Sequence, residues 1–396
     1  MSEHANNIVF LLGAGFNQEL KDWDDLKPPM ARNFFQLIRQ SSHYENIYHE
    51  QLRKVYGFIQ EYWKLEEEEI SRKEFDLEKL FTFLQLTIDD IYKKERYDEL
   101  IELHSIQDSL VTVFINFLQR FDLHHIRFEL YQRFGKKLME FKPDIITFNY
   151  DLYLENILES ASGLNVSIPE SFSNVHNLDD FNLPDDIIRY SHYKYNIPLA
   201  YGFKFDIVRI FMAGNRKYEF GERFYDFHEL YTNPIIKLHG SLNWSKIRQI
   251  PTDRITLQAL NKEFIGNLII SNEYWDPNFN NDFKGWIVTP HIITPTLYKR
   301  GFFDQFPFKD LWSMAKKKLS HCNKLIIIGY SFSPTDFHTE KLFLDSFKEN
   351  ELQDLIIVNP DTSIIRKIKE LTHFNHPVTM CSNLFEFMDI FNDIIE

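Results

Sequence analysis

Two short stretches of this chain put chemically useful side chains where an apolar run stops. In Ile145-Ile146-Thr147-Phe148-Asn149-Tyr150-Asp151 an amide and a carboxylate stand two residues apart, and in an extended segment both point the same way. In Ile235-Ile236-Lys237-Leu238-His239-Gly240-Ser241 an imidazole ends the run, with a glycine leaving space beside it. A neutral amide such as Asn149 orients a hydroxyl or a water, and His239, titrating near neutrality, accepts a proton from either. Each residue also has a plain structural reading. Asn149 or Asp151 caps the helix that Leu152, Leu154, Ile157 and Leu158 predict, and His239 is a core histidine.

Three further stretches have the same form. Gly13-Ala14-Gly15-Phe16-Asn17 follows the apolar run Ile8 to Leu12 and opens a helix, so its amides are placed to meet a pyrophosphate at a helix N-terminus. It lacks the third glycine of a GxGxxG fingerprint, and no acidic residue ends a second strand ~20 residues on, so a tight structural turn reads equally well. Gly329-Tyr330-Ser331 follows Ile326-Ile327-Ile328, and Asn359-Pro360 follows Ile356-Ile357-Val358.

Strands must carry these residues. Continuous apolar runs, the mark of a sheet buried on both faces, predict strands at Ile8 to Leu12, Asp144 to Phe148, Ile235 to Leu238, Lys324 to Ile328, Leu355 to Val358 and Val378 to Met380. Each leads into a polar or glycine-marked turn, the arrangement of an α/β sheet whose ligand sits at the carboxyl ends of the strands. Between Pro28 and Phe141 the period changes. Leu77, Leu80, Phe81, Leu84, Ile88 and Ile91 form a one-sided helical stripe; Leu103, Ile106, Leu110, Val113 and Phe117 form another, and Tyr131, Phe134, Leu138 and Phe141 a third. A layer of three to five helices is expected, with the acidic run Glu66 to Glu69 on a solvated face. From Asn165 to Asn233 periodicity is poor, which predicts an insertion over the sheet edge rather than a separate domain. The expected architecture is α/β, a doubly wound, mostly parallel sheet formed by residues 1–27 and 142–396, with residues 28–141 as a helical insertion.

Composition narrows the function. Over 396 residues the 58 Asp and Glu outnumber the 44 Lys and Arg, and a net charge of −14 argues against direct binding to nucleic-acid phosphates. Two cysteines, Cys322 and Cys381, build neither a disulfide framework nor a thiolate zinc site. The remaining histidines, among them His124 and His125, lack metal-ligand spacing, so no metal is expected. No run approaches the ~18 apolar residues of a membrane span and the N-terminal run is too short for a signal peptide, which predicts a cytoplasmic protein. The 38 Phe imply aromatic core packing.

Taken together and in this order, the motifs resemble the sirtuin family. The strand and turn at Gly13-Ala14-Gly15, the amide and acid of Asn149 and Asp151, His239-Gly240, Gly329-Tyr330-Ser331 and Val358-Asn359 all match in type and order, across nearly the whole chain. The motifs look most like those of the sirtuin-like NAD hydrolases of bacterial anti-phage defence, whose acidic-Leu-Phe helix is similar to Leu77-Glu78-Lys79-Leu80-Phe81. Two departures stand out. Asn17 replaces the Ser or Thr common in the family's first loop, and the paired cysteines of the deacetylase zinc ribbon are missing, which argues against deacetylation.

The resemblance implies a Rossmann-like fold and an NAD glycohydrolase that yields nicotinamide and ADP-ribose. In that reading Asn149 and His239 are catalytic, Asp151 holds nicotinamide or the loop, and Gly13, Ala14, Gly15, Phe16, Asn17, Gly329, Ser331 and Asn359 bind the cofactor. The proline-marked stretch from Val288 to Lys299 resembles a family loop covering the nicotinamide side, and a simple connection between layers explains it as well. Alternatives are a non-catalytic sensor of NAD or an ADP-ribose derivative, and a protein deacylase or ADP-ribosyltransferase. The last expected strand is followed by one amphipathic helix, Leu384 to Phe391, so control of activity is expected from the helical layer, through homo-oligomers or a HerA-type ATPase partner.

Overall fold

The structure is a computed structural model that describes residues 7–22, 24–121, 129–161, 201–202, 206–213, 215–221, 234–249, 268–271, 286–296, 299, 301–333, 336–350 and 352–395. Within these, the strands are β1 Ile8–Leu12, β2 Asp144–Thr147, β3 Asp206–Ala213, β4 Asn215–Gly221, β5 Ile235–Lys237, β6 Gly240–Gln249, β7 Leu268–Ser271, β8 Trp286–Ile292, β9 Lys324–Ile328, β10 Asp354–Val358 and β11 Thr379–Cys381. The main helices are α1 Phe34–Gln40, α2 His49–Trp63, α3 Glu67–Arg72, α4 Leu77–Lys93, α5 Tyr97–Gln119, α6 Glu129–Phe141, α7 Tyr153–Ala161, α8 Phe308–Leu319, α9 Phe337–Ser346, α10 Ile364–Thr372 and α11 Leu384–Asp389.

Six strands form one parallel sheet in the order β5-β2-β1-β9-β10-β11. The chain winds outward from β1 through β2 to β5, then returns to the other flank of β1 and winds outward again. That is the doubly wound Rossmann order, and its reversal opens a crevice between the carboxyl ends of β1 and β9. All five side chains of β1 are buried, as its unbroken apolar run requires of a central strand covered on both faces. Phe10 meets Phe134 of α6 on one side of its ring and Phe387 of α11 on another, at 6.1 and 6.2 Å between centroids.

Register aligns the motifs. Leu12 lies opposite both Thr147 and Ile328, Thr147 opposite Lys237, and Val358 opposite Ile328 and Cys381. The ladder runs one residue further, through Gly13 N to Ile328 O, Phe148 N to Leu12 O, Leu238 N to Thr147 O, Gly329 N to Val358 O and Asn359 N to Cys381 O. All five polar stretches therefore leave the sheet at one level.

Six α-helices, rather than three to five, lie between β1 and β2 among the described residues. The short ones, α1 and α3, span seven and six residues, too few to repeat an apolar stripe. The acidic run begins α3, where Glu66 and Glu69 form a reciprocal capping box. Much of the phenylalanine content packs this layer together: Phe34 meets Phe35, Phe114 and Phe117 within 5.3 to 6.2 Å.

A second sheet, absent from the expectation, has the order β4-β3-β7-β6-β8 and mixed pairing. Part of the stretch read as an edge insertion forms its β3–β4 hairpin; apart from Tyr201 and Gly202, the remainder lies outside the described residues. The stretch from Val288 to Ile292, read as a loop, belongs to β8. Pro290 is tolerated because β8 is an edge strand with a partner on one side. The chain passes from the parallel sheet to the second sheet between His239 and Gly240. Gly240 makes that step at φ +84°, where a Cβ would stand 2.6 Å from the His291 carbonyl oxygen, so only glycine fits.

Candidate functional site at the strand ends

The first loop and the Gly329 loop pack backbone to backbone across the crevice. Gly13 N donates to Ile328 O at 2.9 Å, Gly15 N to Gly329 O at 2.8 Å, and Phe16 N to Gly13 O at 2.9 Å. A Cβ on Gly13 would lie 2.6 Å from Tyr330 Cα, and one on Gly15 2.7 Å from Gly329 Cα. These glycines are required by the approach of two loops. Because three of the loop's amides are already donated, Ala14, exposed at the start of a short 3-10 turn, is the residue of this loop best placed to face a ligand. Phe16 turns its ring inward against Tyr131 and Phe134 of α6, both at 5.4 Å, and the Tyr131 hydroxyl donates to Phe16 O at 2.7 Å. Its contribution is to anchor the loop.

Asn149 and Asp151 both reach that loop. Asn149 Nδ2 donates to Gly13 O at 3.1 Å. Asp151 accepts from Asn17 Nδ2 at 2.8 Å through Oδ2 and from Tyr153 N through Oδ1, so it caps the entry to α7 while tying down the first loop. The two readings of Asp151, cap and loop holder, are one arrangement. Asn17 is the partner that joins Asp151 to the first loop. Behind it lies a buried group: Lys237 Nζ bonds Asp151 O and Glu155 Oε1, which also accepts from the Tyr201 hydroxyl at 3.0 Å. Burial, opposed by Lys237 and reinforced by Glu155, lifts the Asp151 carboxyl to about 6.

His239 stands next door. Its ring stacks on Tyr150 at 5.8 Å and meets the edge of Phe148 at 5.2 Å, so the two aromatics flanking Asn149 both touch the imidazole. Trp312 of α8 donates to Leu238 O at 3.0 Å and steadies the turn. The Tyr150 hydroxyl donates to Ile293 O at 2.7 Å, and Ile293 N to His239 O at 2.9 Å, so the 293–296 segment closes against the site. One expectation is corrected here. His239 does not titrate near neutrality: burial and the neighbouring Lys299 ammonium push its pKa down to about 3, against the raising pull of Asp336. The ring is neutral at physiological pH and acts as a hydrogen-bond partner.

Lys299 and Asp336 escaped the sequence reading. Lys299 Nζ lies 3.3 Å from His239 Nε2 and 3.2 Å from Asp336 Oδ1. Asp336 also accepts from the Tyr330 hydroxyl at 2.7 Å and Thr339 Oγ1 at 2.8 Å, and its side chain caps α9. Burial opposes its ionisation, but Lys299, His239 and the two hydroxyls outweigh this and hold the carboxyl at about 2. The only available signal was position, in the proline-marked stretch and three residues into the segment after Ser333. Tyr330 in turn stacks on Phe148 at 4.3 Å and 14°, joining the β9 loop to the β2 loop.

The outer motifs are placed differently. Ser331 is exposed, following the Gly329–Tyr330 step. Asn359 bonds Tyr330 O through Nδ2 at 3.4 Å and receives Asp361 N at 2.9 Å, so it holds the β9 loop and its own turn. Among the described residues no group of three or more His, Cys, Asp or Glu side chains is arranged to hold a metal ion, and His124 and His125 lie outside those residues.

No family model and no curated protein matches the chain. Solved structures do. The chain is similar to a crystal structure of a Sir2 homolog in complex with NAD, with 12% identity, 98% of this chain and 87% of that chain covered and a TM-score of 0.41. It is similar to a Sir2 enzyme at 12% identity, covering 98% and 92%, with a TM-score of 0.38. A mutant Sir2 homologue in complex with ADP-ribose gives 13% identity, coverage of 98% and 91%, and a TM-score of 0.37. These neighbours are Sir2 sirtuins. The fold of this chain stands on its own strand order, and no residue role is taken from them.

Proposed function

We propose that this protein is an NAD glycohydrolase, cleaving NAD to nicotinamide and ADP-ribose. The observation that carries the reading is Asn149 and neutral His239 side by side at the level carboxyl ends of β2 and β5, next to the crevice where β1 and β9 part. A non-catalytic nucleotide sensor has no need of that pair.

The chemistry asks little of a proton donor. The bond from ribose C1′ to the nicotinamide nitrogen breaks with its electron pair leaving on a cationic pyridinium, which departs neutral. Water then forms the new bond to C1′ and its proton passes to solvent. The protein orients the ribose and the water and excludes competing nucleophiles. Asn149, fixed by its bond to Gly13 O, orients the water or a ribose hydroxyl. His239 accepts a hydrogen bond from a ribose hydroxyl rather than removing a proton as a strong base. The phosphates lie over Ala14 and the exposed Ser331, with Gly13, Gly15, Phe16, Asn17, Asp151, Gly329 and Asn359 shaping the loops beneath. In this reading NAD depletion serves anti-phage defence, with activity governed by self-association or a HerA-type ATPase.

Incubation with NAD followed by chromatography of the products tests it. Nicotinamide and ADP-ribose are expected, and Asn149→Ala or His239→Ala should lower the rate at least ~100-fold while circular dichroism stays unchanged. Folded variants that both cleave at the wild-type rate would overturn the site, and NAD bound but never consumed would leave the sensor.

A further inference from the structure

Lys299 stands beside His239 in the candidate site, at the end of the proline-marked stretch and outside the five strand-end motifs. Its side chain is 7% exposed and that of Asp336 8% exposed, so neither is a surface charge whose partner is incidental. An ammonium carries donors and no acceptor. The nitrogen it meets at 3.3 Å, His239 Nε2, therefore presents a lone pair, and the single proton of the neutral ring resides on Nδ1. The ring also makes a backbone hydrogen bond to Phe148, one that a ring N–H donates, and with Nε2 facing the ammonium the remaining donor is Nδ1. The ammonium is held from behind by Asp336, itself fixed by the Tyr330 hydroxyl, Thr339 Oγ1 and the Thr339 amide.

We propose that Lys299, held by Asp336, is a positioning residue that keeps Nε2 of His239 an unprotonated acceptor, which it shares with or yields to a ribose hydroxyl of the bound nucleotide. The identity of the incoming donor rests on the hydrolase reading; the tautomer does not. Among the described residues, few charged and titratable groups surround the imidazole. Lys299 comes from the segment preceding α8, and Asp336 and His338 from the start of α9. The Tyr150 hydroxyl is donated to Ile293 O and that of Tyr330 to Asp336, so neither competes for Nε2. Glu78 of α4 acts on both tyrosines rather than on the ring. Of the charges acting on His239, Lys299 opposes its protonation most strongly, and Asp336 favours it. Removing the Lys299 cation while leaving the Asp336 anion should thus raise the pKa of the ring, while burial, the largest cause of its depression, continues to oppose protonation.

The experiment is nitrogen NMR of the full chain with labelled histidine, the His239 signals assigned by difference against His239→Asn, beside a pH profile of NAD cleavage. Wild type should show the Nδ1–H tautomer of His239, unchanged from pH 5 to 8. In Lys299→Met, with no cation to hold Nε2 as an acceptor, part of the ring should carry its proton on Nε2, and both its titration and the acid-side fall in cleavage should move to higher pH than in wild type. Lys299→Arg keeps the cation and should keep the ring neutral. An Nε2–H tautomer in the wild type overturns the proposal, a measurement that needs no variant to fold. So does a Lys299→Met ring whose tautomer and titration are both those of wild type. If the NMR behaves as described and no NAD is cleaved by any form, the positioning stands and the hydrolase reading fails.

Discussion

Burial of His239 has a consequence for stability as well as chemistry. An unfolded imidazole titrates near 6.5, whereas burial and Lys299 hold the folded ring at about 3. Between those values the unfolded chain binds the extra proton, so this group's contribution is full above about 6.5 and is lost as pH falls toward 3. Asp151 has the opposite sign. Its folded carboxyl is raised from 3.8 to about 6, chiefly by burial, so the folded chain keeps its proton longer and stability falls as pH rises from about 4 to about 6. The two slopes offset in wild type. His239→Asn removes one and leaves the other, so its urea midpoint should decline between pH 4.5 and 6 relative to wild type, with a slope difference of up to ~1.4 kcal/mol per pH unit. Midpoints that run parallel in the two proteins would contradict the depressed histidine.

At the scale of elements, two loops that look like ligand loops are first of all each other's packing partners. Gly329 adopts φ +64°, and a Cβ there would come 2.1 Å from Phe16 N. Gly15→Val or Gly329→Val should therefore cost several kcal/mol and lower the melting temperature, since backbone faces backbone and neither side can yield. Loss of NAD affinity in such a variant would report a displaced loop. Ala14 separates the two effects because it is exposed at the tip of the turn. Ala14→Glu should leave the melting temperature within about 2 °C and weaken NAD binding at least ~10-fold by calorimetry, through repulsion of the phosphates. Unchanged affinity in that variant would move the phosphates away from this loop.

The whole molecule joins a Rossmann sheet, a helical layer between β1 and β2, and a second sheet whose strand β6 starts at Gly240. The helical layer touches the site directly: Phe114 of α5 meets Tyr150 at 5.7 Å, and the Tyr153 hydroxyl bonds Leu118 O at 2.6 Å. Its outer ends carry Tyr92, Tyr97 and Ile101, between 62% and 69% exposed. Among the described residues no helix is long and apolar enough to cross a membrane. Under the proposed function this layer is where association would be felt by Tyr150 and Asn149. Turnover per chain is expected to rise with protein concentration as light scattering shows assembly, or on adding an ATPase that co-purifies. Full activity per chain from a monomer at every concentration would exclude that control.

The amino-acid sequence by itself determined the parallel strands and what stands at their ends. An unbroken apolar run such as Ile8 to Leu12 fits a strand buried on both faces, and the turn after it must be polar or glycine-bearing, so Gly13, Asn149, His239, Gly329 and Asn359 were legible as one set. The long stripes of α4, α5 and α6 were legible for the same reason, because a period repeated over 13 or more residues has little else to mean. The second sheet was not legible. Its strands mix parallel and antiparallel neighbours and draw on segments as far apart as Asp206 and Ile292, a pairing that no local period encodes. Nor did local pattern separate a glycine that admits a phosphate from one that admits another loop; Gly15 is the second kind because Gly329 lies against it. His239 was found by its place at a strand end, but its charge state was decided by its burial and, with opposite signs, by Lys299 and Asp336, 60 and 97 residues further along the chain. A pKa is set by what surrounds a group in space, and only the folded chain brings a lysine and an aspartate from two other segments to the same imidazole.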